Sequence, residues 1–309
     1  MSTPVRAENN VTEILRWICL IAGLVALAYV ARVLATNWHS LQADWHRFLS
    51  HGLAIAFPAA ASALLLLAWT WYWVLCQLGL KVDALQALHV WFSGNLYKYI
   101  PGQVWLAVGR TAKGAQVGVP ARATFGTTVI EQGFSLLAMG VVLGVAQGWP
   151  LLALASVAAS AALLYPPLIN TVLSSLGRIG RRPMTLVPLR SSQLLVLYLV
   201  CLIAIALGVL TMAGVMIGLG IFRPQHLQAY VVAFTGSFLS GYLFFGAPAG
   251  LGVREGALLV LLGRAGVAAG DASLVAVVTR IVTVTTELVL FLAVSALARA
   301  RGRQGAAEA

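Results

Sequence analysis

What this chain has least of is charge. Asp, Glu, Lys and Arg make up 9% of its 309 residues, where soluble domains carry about 25%. So few charges cannot clothe a water-facing surface, and a soluble globular protein is excluded. Acid is scarcer still: nine Asp and Glu stand against 20 Lys and Arg, a net charge of +11. In a soluble chain that excess would suggest a nucleic-acid partner. Here none is expected, because the bias of basic loops to one side of a membrane explains much of it. Attraction to anionic lipid headgroups is the functional addition.

Cysteine is nearly absent. Cys19, Cys76 and Cys201 each lie in an apolar run, without metal-ligand spacing or a disulfide framework, and are expected in the core. No nucleophile–base pair, phosphate-loop pattern or metal-ligand cluster is present in the sequence. Catalysis, a metal and a cofactor are therefore not expected. A cleavable signal is lacking too. Residues 1–13 are polar, with Glu8 and Glu13. The apolar run Ile14–Ala35 is longer than a signal core of roughly 7–15 residues, and reads as a first spanning helix.

What the chain has in abundance is apolar sequence, 60% of all residues, with a mean hydropathy of +0.90. A full span needs roughly 20 apolar residues. Six stretches qualify, at 14–35, 53–76, 121–147, 150–171, 193–219 and 271–297. The fold class expected is an all-α polytopic membrane protein, one integral membrane domain over residues 1–309. Between the first two spans, Leu41, Trp45, Phe48 and Leu49 fall on one face, which suits a short interfacial helix. Trp69-Thr70-Trp71-Tyr72-Trp73 reads as an aromatic belt at the end of the second span. The polar stretch 174–190, with Arg178, Arg181, Arg182 and Arg190, reads as a cytoplasmic loop, and 299–309 as a disordered basic tail.

Two segments do not read as plain spans. In 84–112, Ala84–Asn95 and Gln103–Ala112 are each too short to cross, and Pro101-Gly102 separates them. Proline lacks an N–H and glycine tolerates unusual dihedrals, so a re-entrant helix–break–helix hairpin is expected. The segment 227–265 has the same character, broken at Pro248, Gly250 and Gly252. A full crossing by 227–245 followed by a short helix is its alternative. With two hairpins, fourteen of the 20 basic residues fall on one side, four on the other, and Arg254 and Arg280 within the membrane. Each half then reads span, broken hairpin, span, over 53–147 and 193–297. An odd number of crossings between them makes the second copy upside down, the inverted-repeat plan of many transporters.

Broken backbone survives at membrane depth only when buried in protein or lining a wet cavity, and ionisable residues there are expensive. Glu131 lies 30 residues after Pro101, and Arg280 lies 32 after Pro248, so the halves carry opposite charge at comparable depth. Glu287, seven beyond Arg280, shares its helical face. One reading is a structural ion pair of Arg280 with Glu131 or Glu287. The other is a polar cavity in which Arg254 and Arg280 receive an anionic headgroup, since a guanidinium fork matches phosphate. Glu131, Glu255 and Glu287 would balance charge or read an amine, and Asn95, Tyr97 and Lys98 would add donors. For Gly102, Gly250 and Gly252, turn geometry and close approach to a ligand are equally compatible. His89 and His226 are expected at the interfaces.

Asn95-Leu96-Tyr97-Lys98-Tyr99-Ile100-Pro101-Gly102-Gln103-Val104-Trp105, with Gly109-Arg110, and Pro248-Ala249-Gly250-Leu251-Gly252-Val253-Arg254-Glu255-Gly256 resemble the flippase-like membrane domain of lysylphosphatidylglycerol synthases and its stand-alone relatives. The resemblance covers nearly the whole chain and adds Arg110 to the site. It implies movement of a lipid with a polar or anionic headgroup between leaflets, beside a lipid-modifying or glycosyltransferase enzyme. The location it implies is the bacterial inner membrane, with both termini cytoplasmic. Aminoacyl transfer is not expected, because the chain stops at Ala309 without a long polar region. The alternatives are a secondary transporter of a small soluble anion and a non-transporting scaffold for such an enzyme.

Overall fold

The computed structural model describes residues 32, 35, 51–100, 104–178, 187–244 and 248–307. The expected first span and the interfacial segment lie outside these residues, apart from Arg32, Ala35 and His51. Ten α-helices are found among the described residues: α1 Leu53–Gln77, α2 Ala84–Asn95, α3 Trp105–Gln116, α4 Ala121–Gln147, α5 Pro150–Leu163, α6 Pro166–Arg178, α7 Ser191–Gly218, α8 Leu227–Leu243, α9 Val253–Arg264 and α10 Ala269–Ala307. The protein is a polytopic helical membrane protein. α1, α4, α7 and α10 are each long and apolar enough to cross a bilayer.

Two expectations need correction. The stretch 150–171 is not one straight span, because α5 and α6 meet at a 62° bend. Pro166 and Pro167 cause it: neither carries an N–H, and the residue before a proline is pushed away from helical dihedrals. The tail from Arg299 is not disordered as far as Ala307, since α10 continues to that residue. Its Ala and Arg are strong helix formers and no proline interrupts them. A third correction is local. Trp71 of the expected aromatic belt is 1% exposed and donates its indole N–H to Thr127 Oγ1 at 3.1 Å. It is a core residue, whereas Trp69 is exposed.

Both broken segments return to the face they left. Asp83 caps α2, its carboxylate accepting from the Gln86 amide. Val117 and Val119 beyond α3 share an apolar cluster with Leu80, Val82 and Leu85 before and within α2. At the other end of the bundle, Val267 beyond α9 shares a cluster with Leu219, Ile221 and Phe222 before α8. Residues 227–265 thus return to the face they left, which excludes a single crossing by 227–245. Hydrogen bonds between loops sort them in the same way. The Val187 amide bonds the Leu78 carbonyl and Arg301 bonds Asp83, which places residues 78–83, 187–190 and the end of α10 on one face. Gln228 bonds the Ala146 carbonyl on the opposite face.

Small residues let the helices approach closely, as in membrane bundles generally. A Cβ on Gly214 of α7 would fall 2.9 Å from the Ala56 nitrogen of α1. Pairing follows a pattern. Replace α1–α4 by α7–α10 in order, and α1–α2 becomes α7–α8, α2–α3 becomes α8–α9, α3–α4 becomes α9–α10, α4–α8 becomes α10–α2, and α4–α7 becomes α10–α1; all of these pairs pack. Each hairpin therefore leans on the long helix that follows the other one, and the 3-10 turns at the two hairpin bends, Leu96–Tyr99 and Pro248–Gly250, meet in the interior.

Candidate functional site

Around those meeting turns lies a cavity of about 240 Å³. Its wall from α1, α4 and α7 is largely apolar, with Ala60, Leu64, Leu67, Met139, Ile205 and Gly208. The hairpins, α4 and α10 supply the charge: Lys98, Arg110, Glu131, Arg254, Arg280 and Glu287 line it.

Arg110 and Glu131 form the deepest ion pair. The Arg110 side chain is fully buried and that of Glu131 is 5% exposed. Arg110 Nη1 donates to Glu131 Oε2 at 2.7 Å and Nη2 to Oε1 at 3.3 Å. Nη2 also reaches Asn95 Oδ1 at 3.2 Å, and the guanidinium lies 4.7 Å from the Trp91 ring centre. Asn95 turns its amide to Glu287 Oε1. Lys98 Nζ donates to the same oxygen and Tyr99 OH to Oε2, both at 2.8 Å. A continuous polar chain thus runs from α4 through α3 and α2 to α10. Bonds to charged groups in such low-dielectric surroundings are strong, and leaving one unmade is costly.

The second hairpin is built differently. Ala249 is the one non-glycine residue with positive φ among those described, at +48°, followed by Gly250 at +69° and Gly252 at +82°. This turn points the Ala249 carbonyl at Arg280, whose Nη2 donates to it at 3.3 Å. Strain of this kind collects at functional sites. Gly250 serves close approach of the two arms, since a Cβ there would fall 2.8 Å from Gly241 Cα. Around Gly252 there is open space. Its amide donates to Glu255 Oε2 at 2.7 Å, while Glu255 Oε1 lies 3.8 Å from Arg280 Nε. That Nε is buried and finds no hydrogen-bond partner among the described residues. The Arg254 guanidinium carbon lies over the Phe238 ring, 3.1 Å from its centre, and among the described residues no carboxylate comes within ion-pair distance of it.

Most residues singled out in the sequence therefore converge. Arg254, Arg280, Glu131, Glu287, Arg110, Asn95 and Lys98 line the cavity, and Glu255 backs it through Arg280. The expected pairing of Arg280 with Glu131 or Glu287 is not formed: each of those acids belongs to the first hairpin's cations, and Arg280 faces Glu255. Tyr97 does not line the cavity. A Cβ on Gly109 would meet its ring, so it packs the two arms together. Pro248 begins the second 3-10 turn, whereas Pro101 and Gly102 lie outside the described residues. His89 stacks near Phe291 and His226 near Tyr230, away from the site. Sequence reasoning missed Tyr99, Trp91, Phe238 and the Tyr242–Gln132 pair, bonded at 2.6 Å. Only the crowding of Tyr97 and Tyr99 around Lys98 signalled any of these.

The family model described as the lysylphosphatidylglycerol synthase TM region matches residues 17–290. The chain belongs to this family. Both hairpins, the cavity and every charged residue in it fall inside the matched region, so the membership covers the site as well as the fold. It marks a membrane protein linked to lipid handling. No curated protein shows significant similarity to the chain.

Proposed function

We propose that this family member is a lipid transporter that moves a lipid with a polar, anionic headgroup between leaflets. The observation that carries the reading is the composition of the cavity: cations from both hairpins on one side, an apolar wall from the long helices on the other. A headgroup would sit among Arg254, Arg280 and Lys98 while its tails stay against lipid. The exchange pattern of helix pairs supports an inverted repeat of 53–147 and 193–297, and two hairpins meeting at mid-membrane suit alternating access. The role is transport without a covalent step. On this reading the chain sits in a bacterial inner membrane with both termini toward the cytoplasm; the excess of Lys and Arg in the loops of one face supports that orientation. A lipid-modifying or glycosyltransferase enzyme would supply the substrate.

The test is a leaflet-exchange measurement in reconstituted vesicles, using a headgroup-labelled phosphodiester lipid and a membrane-impermeant quencher. Arg254→Gln and Arg280→Gln, each purified as a monodisperse protein, are expected to slow exchange about tenfold or more, the worth of one charge-assisted hydrogen bond. Exchange at the unmodified rate in both variants would overturn the site. The apolar wall is what favours a lipid over a small soluble anion; uptake of free anions that ignores lipid composition would reverse that choice.

A further inference from the structure

We infer that the cavity selects a headgroup carrying one net negative charge and no amine: a phosphodiester bearing a neutral hydroxylated group. The inference rests on the transporter reading above and names its substrate class. It follows from an inventory of carboxylates. Both oxygens of Glu131 accept from Arg110, and the Trp91 indole N–H adds a third donor at 3.4 Å. Glu287, 2% exposed, takes Asn95 and Lys98 on one oxygen and Tyr99 on the other. Glu255, 5% exposed, accepts the Gly252 amide on Oε2, while its Oε1 lies 3.8 Å from Arg280 Nε, and the residue stands behind the cavity wall rather than in it. A ligand amine needs a carboxylate with an open face toward the cavity, and none of the three offers one.

Positive charge, by contrast, is left over. Lys98, Arg110, Arg254 and Arg280 stand against Glu131, Glu255 and Glu287, one net positive charge in the cluster. The other acids among the described residues are engaged elsewhere: Asp83 with Arg301 at the surface and Asp271 in the first turn of α10. Arg254 faces an aromatic ring instead of an acid, Arg280 Nε lacks a hydrogen-bond partner among the described residues, and Lys98 keeps 30% of its side chain exposed. Of these, Arg254 is the partly desolvated cation without an acidic partner among the described residues; such a cation is unfavourable, and a single anionic charge relieves it. A second negative charge on the ligand would have to shed water with nothing left to neutralise it. Beyond the cations, Gln132, Ser135, Tyr242 and Thr283 on the wall offer uncharged donors and acceptors suited to hydroxyl groups.

The experiment is competition binding to the full chain in detergent, read by native mass spectrometry, with four short-chain probes of equal tail length: phosphatidylglycerol, phosphatidic acid, phosphatidylcholine and phosphatidylethanolamine. Glycerophosphoglycerol, the first headgroup without tails, is a fifth. Phosphatidylglycerol is expected to outcompete the two zwitterions and the phosphomonoester by about tenfold (~1.4 kcal/mol). Arg254→Lys should keep that order, and Arg254→Gln should flatten it. Glu287→Gln releases Lys98, raises the net charge by one, and should shift preference toward phosphatidic acid, a gain that misfolding cannot mimic. Equal or tighter binding of phosphatidylethanolamine overturns the charge inference while leaving a lipid site in place. The tail-free probe binding as tightly as its lipid would reassign the site to a soluble phosphodiester. Binding of none of the five would remove the site and the inference together.

Discussion

At the scale of single residues, the Arg110–Glu131 pair decides whether the first hairpin stays docked. Both side chains are almost wholly removed from solvent, so neither can be deleted without stranding the other's charge. Arg110→Ala is expected to cost about 3–5 kcal/mol, seen as an earlier thermal unfolding transition in detergent. Replacing both with apolar residues of similar size, Arg110→Met with Glu131→Leu, should recover much of that loss, because no unpaired charge remains. Equal damage from the single and double changes would show that the pair does not act as a unit. The membrane-embedded charges were legible in the sequence because ionisable residues stand out in apolar runs. Their partners were not. Helical periodicity puts Arg280 and Glu287 on one face of α10, yet says nothing about which neighbouring helix supplies the opposite charge.

Elements carry their own constraints, and the hairpins show two kinds of glycine. In α2, a Cβ on Gly94 would lie 2.7 Å from Arg110 Cα, so the arms of the first hairpin approach through the space that glycine leaves. Gly94→Ala should destabilise by about 1–3 kcal/mol, as overpacking does, and should loosen the hairpin, read as faster amide exchange in α2 and α3. In α9, a Cβ on Gly256 would meet nothing within 4 Å. Gly256→Ala is therefore expected to be neutral or to stabilise by up to about 1 kcal/mol, since alanine suits a helix better. If the two substitutions unfold at the same temperature, the close approach is not what holds the arms. Helix extents were largely readable: α4 occupies 121–147 as its apolar run predicts. The bend between α5 and α6 was missed, since hydropathy over 150–171 masks the effect of Pro166 and Pro167.

For the whole molecule, the arrangement of loops fixes sidedness. Residues 78–83, 187–190 and the end of α10 touch one another, while Arg223 and Gln228 sit at the end of α4 marked by Ala146. With Cys19, Cys76 and Cys201 replaced, single cysteines at Lys81 and Arg301 should react with an impermeant thiol reagent from the same side of sealed vesicles, and one at Arg223 from the other. Reaction of Lys81→Cys and Arg223→Cys from a common side would disprove the two-hairpin topology. The basic residues pointed to this arrangement through their counts, but could not distinguish one hairpin at 227–265 from two crossings there. The length of the arms makes that distinction: α9 has 12 residues, about 18 Å at about 1.5 Å per residue, short of a hydrocarbon core about 30 Å thick.

The sequence by itself determined the solvent, the long helices and the two breaks. Lipid demands uninterrupted apolar runs with satisfied backbone, so departures such as Pro248-Ala249-Gly250 and charges such as Glu131 are conspicuous in one dimension. Tertiary structure alone decided which cation meets which acid, that Tyr99 rather than Tyr97 faces the cavity, and that Arg254 lacks an acidic partner among the described residues. Those outcomes depend on contacts between distant segments, such as Asn95 with Glu287, 192 residues apart. Side-chain pairing across that distance is set by how the two hairpins cross, a geometry that no local pattern of residues encodes.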